Sequence, residues 1–195
     1  MNMAIPPTPD SGWNPGRAGI SLKFDGVDDW VHMPLSVSLP TNFVNQGEWA
    51  FEAWSWRASA AQDISDIFQG EYHKPRIMWS SFFQLAGIVN GSYTSILSTS
   101  SPTNNAWHHI IVQQSESLNK TEIWVDGLLK ASVSFTRIDS GANRYSFSCY
   151  WDTSGWWNGF IDEAYIYNRA LLPSEVRSLY EDPYQFITPQ RSKGE

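Results

Sequence analysis

One cysteine, Cys149, stands in 195 residues. That excludes an internal disulfide framework and a cysteine metal cluster. It lies in an alternating run and reads as a plain buried thiol rather than a reactive one. Basic residues are also scarce: 13 Lys and Arg against 20 Asp and Glu leave a net charge of −7. With no positive block, nucleic acid is a poor partner. No apolar run approaches the roughly 18 residues that span a bilayer, so membrane insertion is not expected. The opening "MNMAIPPTPD" lacks the basic start and apolar stretch of a secretory signal. No repeat and no second domain stand out.

What is abundant is aromatic. Phe, Trp and Tyr make up 15% of the chain and Trp alone numbers 11, a mix that suits the pleated, half-buried surface of strands. Residues 1–19 carry Pro6, Pro7, Pro9 and Pro15 among glycines and read as an extended arm rather than a packed element. "ISLKFDG" and "DWVHMP" alternate apolar with polar around a bend at Asp25-Gly26. In "EWAFEAWSWR", Trp49, Phe51 and Ala53 share one face, and Glu52, Trp54 and Trp56 the other. Such a strand is expected centrally, covered on one side and lining a groove on the other. Further short strands follow, with "STSSPTNN" as a loop. "AWHHIIVQQ" is a clear strand, and "KTEIWV" and "LLKASVSF" flank Asp126-Gly127, a pair that favours a type I′ hairpin turn. Pro173 to Glu181 reads as one short helix, with Pro173 in the first turn and Val176, Leu179 and Tyr180 as its apolar stripe. About a dozen strands with one small helix argue for an all-β, two-sheet antiparallel jelly-roll sandwich.

Four separated stretches resemble the laminin-G-like jelly rolls of the concanavalin A-like lectin and glucanase superfamily. They are "LKFDGVDDWVHMP", "FEAW", "AWHHIIVQQ" with "TEIWVDGLLKAS", and "NGFIDEAYIYNRALLPSEVRSLYED". The resemblance covers residues 20–182, leaving the arm 1–19 and a tail 183–195. It implies two antiparallel sheets, one concave, with the first and last strands adjacent. It does not fix a function. One departure is Leu172, which stands where a serine usually caps the helix; Pro173 and Glu175 are expected to compensate.

The resemblance implies sugar contact on the concave sheet or its rim. Flat rings beside polar groups suit a saccharide, so Glu52, Trp54, Trp56, Trp79 and Tyr150 are candidates, although Trp54 also matches a packing aromatic. In "WDTSGWWNG", Trp157 matches a core-capping ring. Trp156 points the other way on an extended backbone and is the better exposed platform; Trp151 is open to either role. Asp25, Asp28 and Asp29, joined by Asp162 if the first and last strands are neighbours, are candidate calcium ligands. The alternative is that these carboxylates satisfy backbone donors at the bend, and that Asp162 or Glu163 pairs with Arg169.

Catalysis is not expected. A glycosidase needs two carboxyls flanking the bond. The Glu-x-Asp-x-x-Glu strand of the related glucanases is missing, and Asp162 and Glu163 fall on opposite faces by alternation. His108 and His109 point to opposite faces too, one hydrogen-bonded in the sandwich and the other solvated. No Gly-x-Ser-x-Gly elbow occurs.

Binding or assembly is left. The first expectation is a non-enzymatic virion decoration or attachment protein, phage-encoded, with surface glycans or other virion subunits as partners. It would self-associate through its arms and reach the outside by lysis; "LYEDPYQF" resembles the ends of phage-encoded members. The alternative is a free-standing carbohydrate-binding module in the cytoplasm or released by lysis. A glycoside hydrolase ranks last.

Overall fold

The stretch "EWAFEAWSWR" buries large side chains on both of its faces, and a strand of that kind is stable only between neighbours on both sides. In the computed structural model it lies in mid-sheet. The structure describes residues 13–15, 20–34, 47–59, 64–139, 144–148 and 155–183. In chain order the strands are β1 (Trp13–Pro15), β2 (Ile20–Asp25), β3 (Val31–Pro34), β4 (Glu48–Arg57), β5 (Ser65–Gly70), β6 (Arg76–Trp79) and β7 (Phe82–Val89). They continue as β8 (Ser92–Ser100), β9 (Trp107–Ser115), β10 (Lys120–Val125), β11 (Leu128–Val133), β12 (Arg144–Phe147) and β13 (Asn158–Tyr167), followed by helix α1 (Pro173–Glu181).

Two antiparallel sheets form the sandwich. One has seven strands in the order β1-β2-β13-β4-β9-β10-β11, the other six in the order β3-β12-β5-β6-β7-β8. The first and last long strands are neighbours, with Asn158 opposite Asp25 and Ile161 opposite Leu22. Between the sheets lie Phe24, Trp49, Phe51, Phe68, Ile77, Trp79, Phe83, Leu85, Ile110, Val112, Ile123, Tyr145 and Trp157, all buried. Phe51 stacks on Phe68 at 4.7 Å between ring centroids and joins the two layers. Each such burial is worth ~1.5–3 kcal/mol in transfer terms, so the inter-sheet ring layer dominates the stability of the fold.

Local chemistry sets the corners. Asp126 and Gly127 adopt φ values of 54° and 73°, the type I′ turn expected of Asp-Gly. Asn90 and Gly91 do the same between β7 and β8 at 51° and 78°. Helix α1 begins after Leu172, which is extended and offers no side-chain cap. Glu175 substitutes: its carboxylate accepts the Leu172 N–H at 2.8 Å and receives both Arg169 guanidinium nitrogens at 2.7 and 2.6 Å. Arg169 first and the Leu172 N–H second push this carboxyl down to about 2. Arg169 is thus taken by Glu175 rather than by Asp162 or Glu163.

Two expectations need correction. The arm contributes a strand, because Trp13, Asn14 and Pro15 pair with Leu22, Ser21 and Ile20; an edge position tolerates the missing N–H of Pro15. Ser98 to Ser100, read as loop, continue β8 opposite Gln84 to Phe82, since the partner strand's pairing outweighs their weak propensity. Cys149 lies outside the described residues. No helix among the described residues is long and apolar enough to cross a membrane.

Candidate functional site

Helix α1 must bury its stripe somewhere, and it uses the outer face of the seven-stranded sheet. Leu171, Val176 and Leu179 pack on Ala50, Ile111 and Trp124. Two expected groove residues lie beneath this cover. Trp54 is 3% exposed and stacks on Tyr180 of the helix at 5.8 Å and 19°. Glu52 is 2% exposed. One of its oxygens meets His109 Nε2 at 2.9 Å and the other accepts the Tyr167 hydroxyl. The half-buried Tyr167 phenol is pushed far above its ordinary pKa by burial and by the Glu52 carboxylate. Glu52 and Trp54 therefore line no open groove.

The remaining tryptophans separate cleanly. Trp79 is fully buried, because its register opposite Ser65 and Phe83 turns it inward, where it meets Trp157 at 5.6 Å. Trp157 is in the core as expected, its N–H held by the Ser148 carbonyl at 2.9 Å. Trp156 is only 8% exposed. It precedes β13 and follows Gly155 at φ 71°, so the chain is not extended there and strand alternation does not turn it outward. Tyr150 and Trp151 lie outside the described residues. His108 and His109 do face opposite ways, yet both are bonded: His108 Nδ1 meets Asp126 at 2.8 Å, and His109 is buried with Glu52.

Trp56 survives as a surface residue, in company that sequence reasoning missed. Register places Lys23, Phe160, Trp56 and Trp107 side by side on β2, β13, β4 and β9. Four neighbouring strands make a row of ~14 Å. Phe160 is buried against the indoles, 5.3 Å from Trp56 and 6.2 Å from Trp107, and both Trp rings are partly exposed. Only the pairing of two strands far apart in sequence brings the rings together.

Acidic groups flank this face. At Asp162 the strand bulges: Glu163 adopts φ 46° and the pairing jumps from Asp162 to Tyr165. The bulge overturns the opposite-face reading, since Tyr165, outward beside Glu52, donates its hydroxyl to Glu163. Asp25, Asp28 and Asp29 gather with one oxygen each within 4.8 Å of one another, all exposed. Asp162 does not join them; it is four residues along β13 from Asn158, the partner of Asp25, or ~13 Å. The trio also serves its own turn. Asp25 accepts the Val27 N–H at 2.8 Å, and Asp29 accepts the Asp25 N–H at 3.0 Å. Hard carboxylate oxygens at this spacing fit calcium in kind.

The other outer face, on the six-stranded sheet, carries an ion pair that no sequence motif announced. Arg76 meets Asp66 with two nitrogens at 2.7 and 3.0 Å. Asp66 is fully buried although it points away from the inter-sheet core. Burial pushes its carboxyl up to about 6 against the pull of Arg76. At Arg76, burial opposes the charge, but Asp66 and then Tyr93 hold its pKa above the ordinary value.

Comparison with known proteins bears on this geometry. The family model of the concanavalin A-like lectin/glucanases superfamily matches residues 25–177. No curated protein sequence matches the chain. Among solved structures, domain 4 of AbnA, an extracellular arabinanase from Geobacillus stearothermophilus in complex with arabinotriose, is similar at TM-score 0.61 and 18% identity, over 86% of this chain and 80% of that one. The receptor binding domain of a botulinum neurotoxin C/D mosaic serotype is similar at TM-score 0.69 and 12% identity, over 89% of this chain and 45% of that one. A Trypanosoma rangeli sialidase in complex with the inhibitor DANA aligns at 0.58 and 17%, over 85% of this chain and 28% of that one. At such identities the likeness speaks to the fold.

Proposed function

Because the chain belongs to the concanavalin A-like lectin/glucanases superfamily, we propose that it is a non-enzymatic binding module that contacts saccharides on the outer face of its seven-stranded sheet. The observation that carries this is the cross-strand row in which Trp56 and Trp107, partly exposed, share Phe160. Sugar C–H groups lie against such rings, and Asn158, Lys23 and Asp162 supply polar groups nearby on the same sheet. The arabinotriose-bound neighbour supports the same reading by analogy of fold. Against hydrolysis stands the commitment of the local carboxylates. Glu52 is sealed under α1 with His109 and Tyr167, and Glu163 holds Tyr165; neither is poised beside an open bond.

A neutral-glycan array that includes arabinotriose tests the reading, followed by titration calorimetry on Trp56→Ala and Trp107→Ala. Each truncation removes ~0.5–1.5 kcal/mol of ring contact, a loss of a few-fold to about tenfold in affinity. Silence across the array, or unchanged affinity in both variants, rejects it. Steady release of reducing ends from a β-glucan would instead make the protein an enzyme.

The finer setting, a phage virion surface with other virion subunits as partners, is part of the proposal and is supported by the resemblance of "LYEDPYQF" to phage-encoded ends. Mass spectrometry of purified particles decides it. Calcium at Asp25, Asp28 and Asp29 is supported by their convergent oxygens. Millimolar calcium should raise the melting temperature and chelator should lower it; no change removes the ion.

A further inference from the structure

Two Asn-Gly pairs occur in the sequence, Asn90-Gly91 and Asn158-Gly159. Such a pair is prone to close on itself. Glycine has no Cβ to shield its own nitrogen, and that nitrogen can attack the asparagine side chain. The fold treats the two pairs differently. Asn158 and Gly159 lie in β13 between β2 and β4, and a Cβ on Gly159 would stand 1.9 Å from the Trp56 carbonyl oxygen. That backbone has no room to turn. Asn90 and Gly91 form the exposed hairpin turn that joins β7 to the edge strand β8. Among the described residues, nothing lies within 4 Å of a Cβ built on Gly91. Ring closure and water both have space here.

One residue holds this turn. The Asp139 carboxylate accepts the Asn90 N–H at 3.0 Å with one oxygen and the Gly91 N–H at 2.7 Å with the other. The Asp139 N–H in turn donates to the Ile88 carbonyl at 2.7 Å, and Ile138 is buried against Gly87. Ile138 and Asp139 are thus anchored across the end of the hairpin, with a charge on the one nitrogen that ring closure needs. A hydrogen bond to a carboxylate is a strong one, and a negative charge beside the amide opposes loss of its proton. Asp139 therefore shields the nucleophile of a pair that solvent reaches.

We propose that Asn90 is a self-modification site, guarded by Asp139, at which the chain converts an amide into a carboxylate. When the bond to Asp139 opens, solvent base removes the Gly91 amide proton and the nitrogen attacks Asn90 Cγ. A bond forms between Gly91 N and Cγ, the Cγ–Nδ2 bond breaks, and ammonia leaves with a proton returned by solvent. Water then opens the cyclic imide. Opening at Cγ gives aspartate; opening at the main-chain carbonyl gives isoaspartate. Nothing is oxidised or reduced. Either product sets a second carboxylate beside Asp139, and the two repel. Isoaspartate also lengthens the turn that sets Val89 opposite Ser92 and Ile88 opposite Tyr93. The step runs one way, so it marks the age of the molecule at one corner of the six-stranded sheet.

Peptide mapping by mass spectrometry, over days in mildly alkaline buffer, tests this on the full chain. Asn90 should convert several-fold faster than Asn158, yet more slowly than Asn90 in the urea-unfolded chain. Asp139→Asn, the same shape without the charge, should speed Asn90 several-fold and leave Asn158 unchanged. Asp139→Ala should speed Asn90 further. Asn90→Asp, which installs the product's charge in advance, should lower the melting temperature. Asn158 converting first, or no conversion at Asn90, overturns the site. The guard is overturned if Asn90 converts as fast folded as unfolded, if both Asp139 variants leave its rate unchanged, or if Asp139→Asn speeds both pairs alike. An unchanged melting temperature in Asn90→Asp overturns the repulsion.

Discussion

The two outer faces of this sandwich solve opposite problems. On the seven-stranded sheet, the outward side chains of β4 and β9 are mostly apolar or tied into buried polar bonds, and helix α1 packs over Ala50, Trp54 and Ile111. On the six-stranded sheet, the outward row runs through Gln69, Arg76, Ala86 and Ser95, with Gln84 beside it and Tyr93 on the edge strand. An aromatic on the first face is mostly a piece of core; one on the second is on display. The exception is the uncovered end of the first face, where Trp56 and Trp107 lie beyond the reach of the helix's contacts. Abundance of tryptophan therefore says little about binding until the cover is known.

The sharpest way to break the comparison is to truncate one ring on each face. Trp54→Ala empties a site closed by Tyr180 and His109 and should cost ~3–5 kcal/mol in denaturant unfolding. Tyr93→Ala, half exposed, should stay within ~0.5 kcal/mol. Similar costs for both would mean that the faces are not different in kind.

A gain should follow from relieving the turn. Tyr72 and His73, in the turn between β5 and β6, are consecutive left-handed residues at φ 57° and 59°, and replacing them by Asn-Gly should stabilise the protein by ~1–2 kcal/mol. A destabilised variant would show that the rings hold the turn rather than strain it.

The smallest effect is in pH. Asp66 has a folded pKa near 6, above its ordinary 3.8. Its favourable contribution is therefore full below pH 4 and lost as pH rises through 6. His73 has a folded pKa near 4, below its ordinary 6.5. Its contribution is full above 6.5 and lost as pH falls through 4. Between pH 4 and 6 the two oppose each other. Asp66→Asn should make stability rise with pH across that window, by ~1 kcal/mol after allowing for solvent screening at His73, and His73→Asn should make it fall. Parallel slopes in the two variants would refute the opposition.

The sandwich was legible because alternation, the Asp126-Gly127 turn and the Pro173 helix start are local signals. The site was mostly not legible, and the reasons are particular. Trp54 and Glu52 face outward as alternation says, but what α1 lies on is a tertiary fact. Trp79 was assigned to the groove, and the registers that turn it inward, opposite Ser65 and Phe83, are invisible in one strand. Trp107 was read only as part of a strand; its place beside Trp56 needs the pairing of β4 with β9, some fifty residues apart. Asp162 and Glu163 misled because a bulge breaks the period of two. Tyr72 and His73 carry no turn signal at all, since nothing in "EYHKP" advertises left-handed backbone.

The account stands or falls on which indoles meet a sugar. In a ¹⁵N–¹H spectrum, the 11 tryptophans each give one indole N–H signal. Titrating arabinotriose or cellotriose should move the signals of Trp56 and Trp107 and leave those of Trp49, Trp54, Trp79 and Trp157 where they were. Movement of the buried set with Trp56 and Trp107 unchanged would contradict the account.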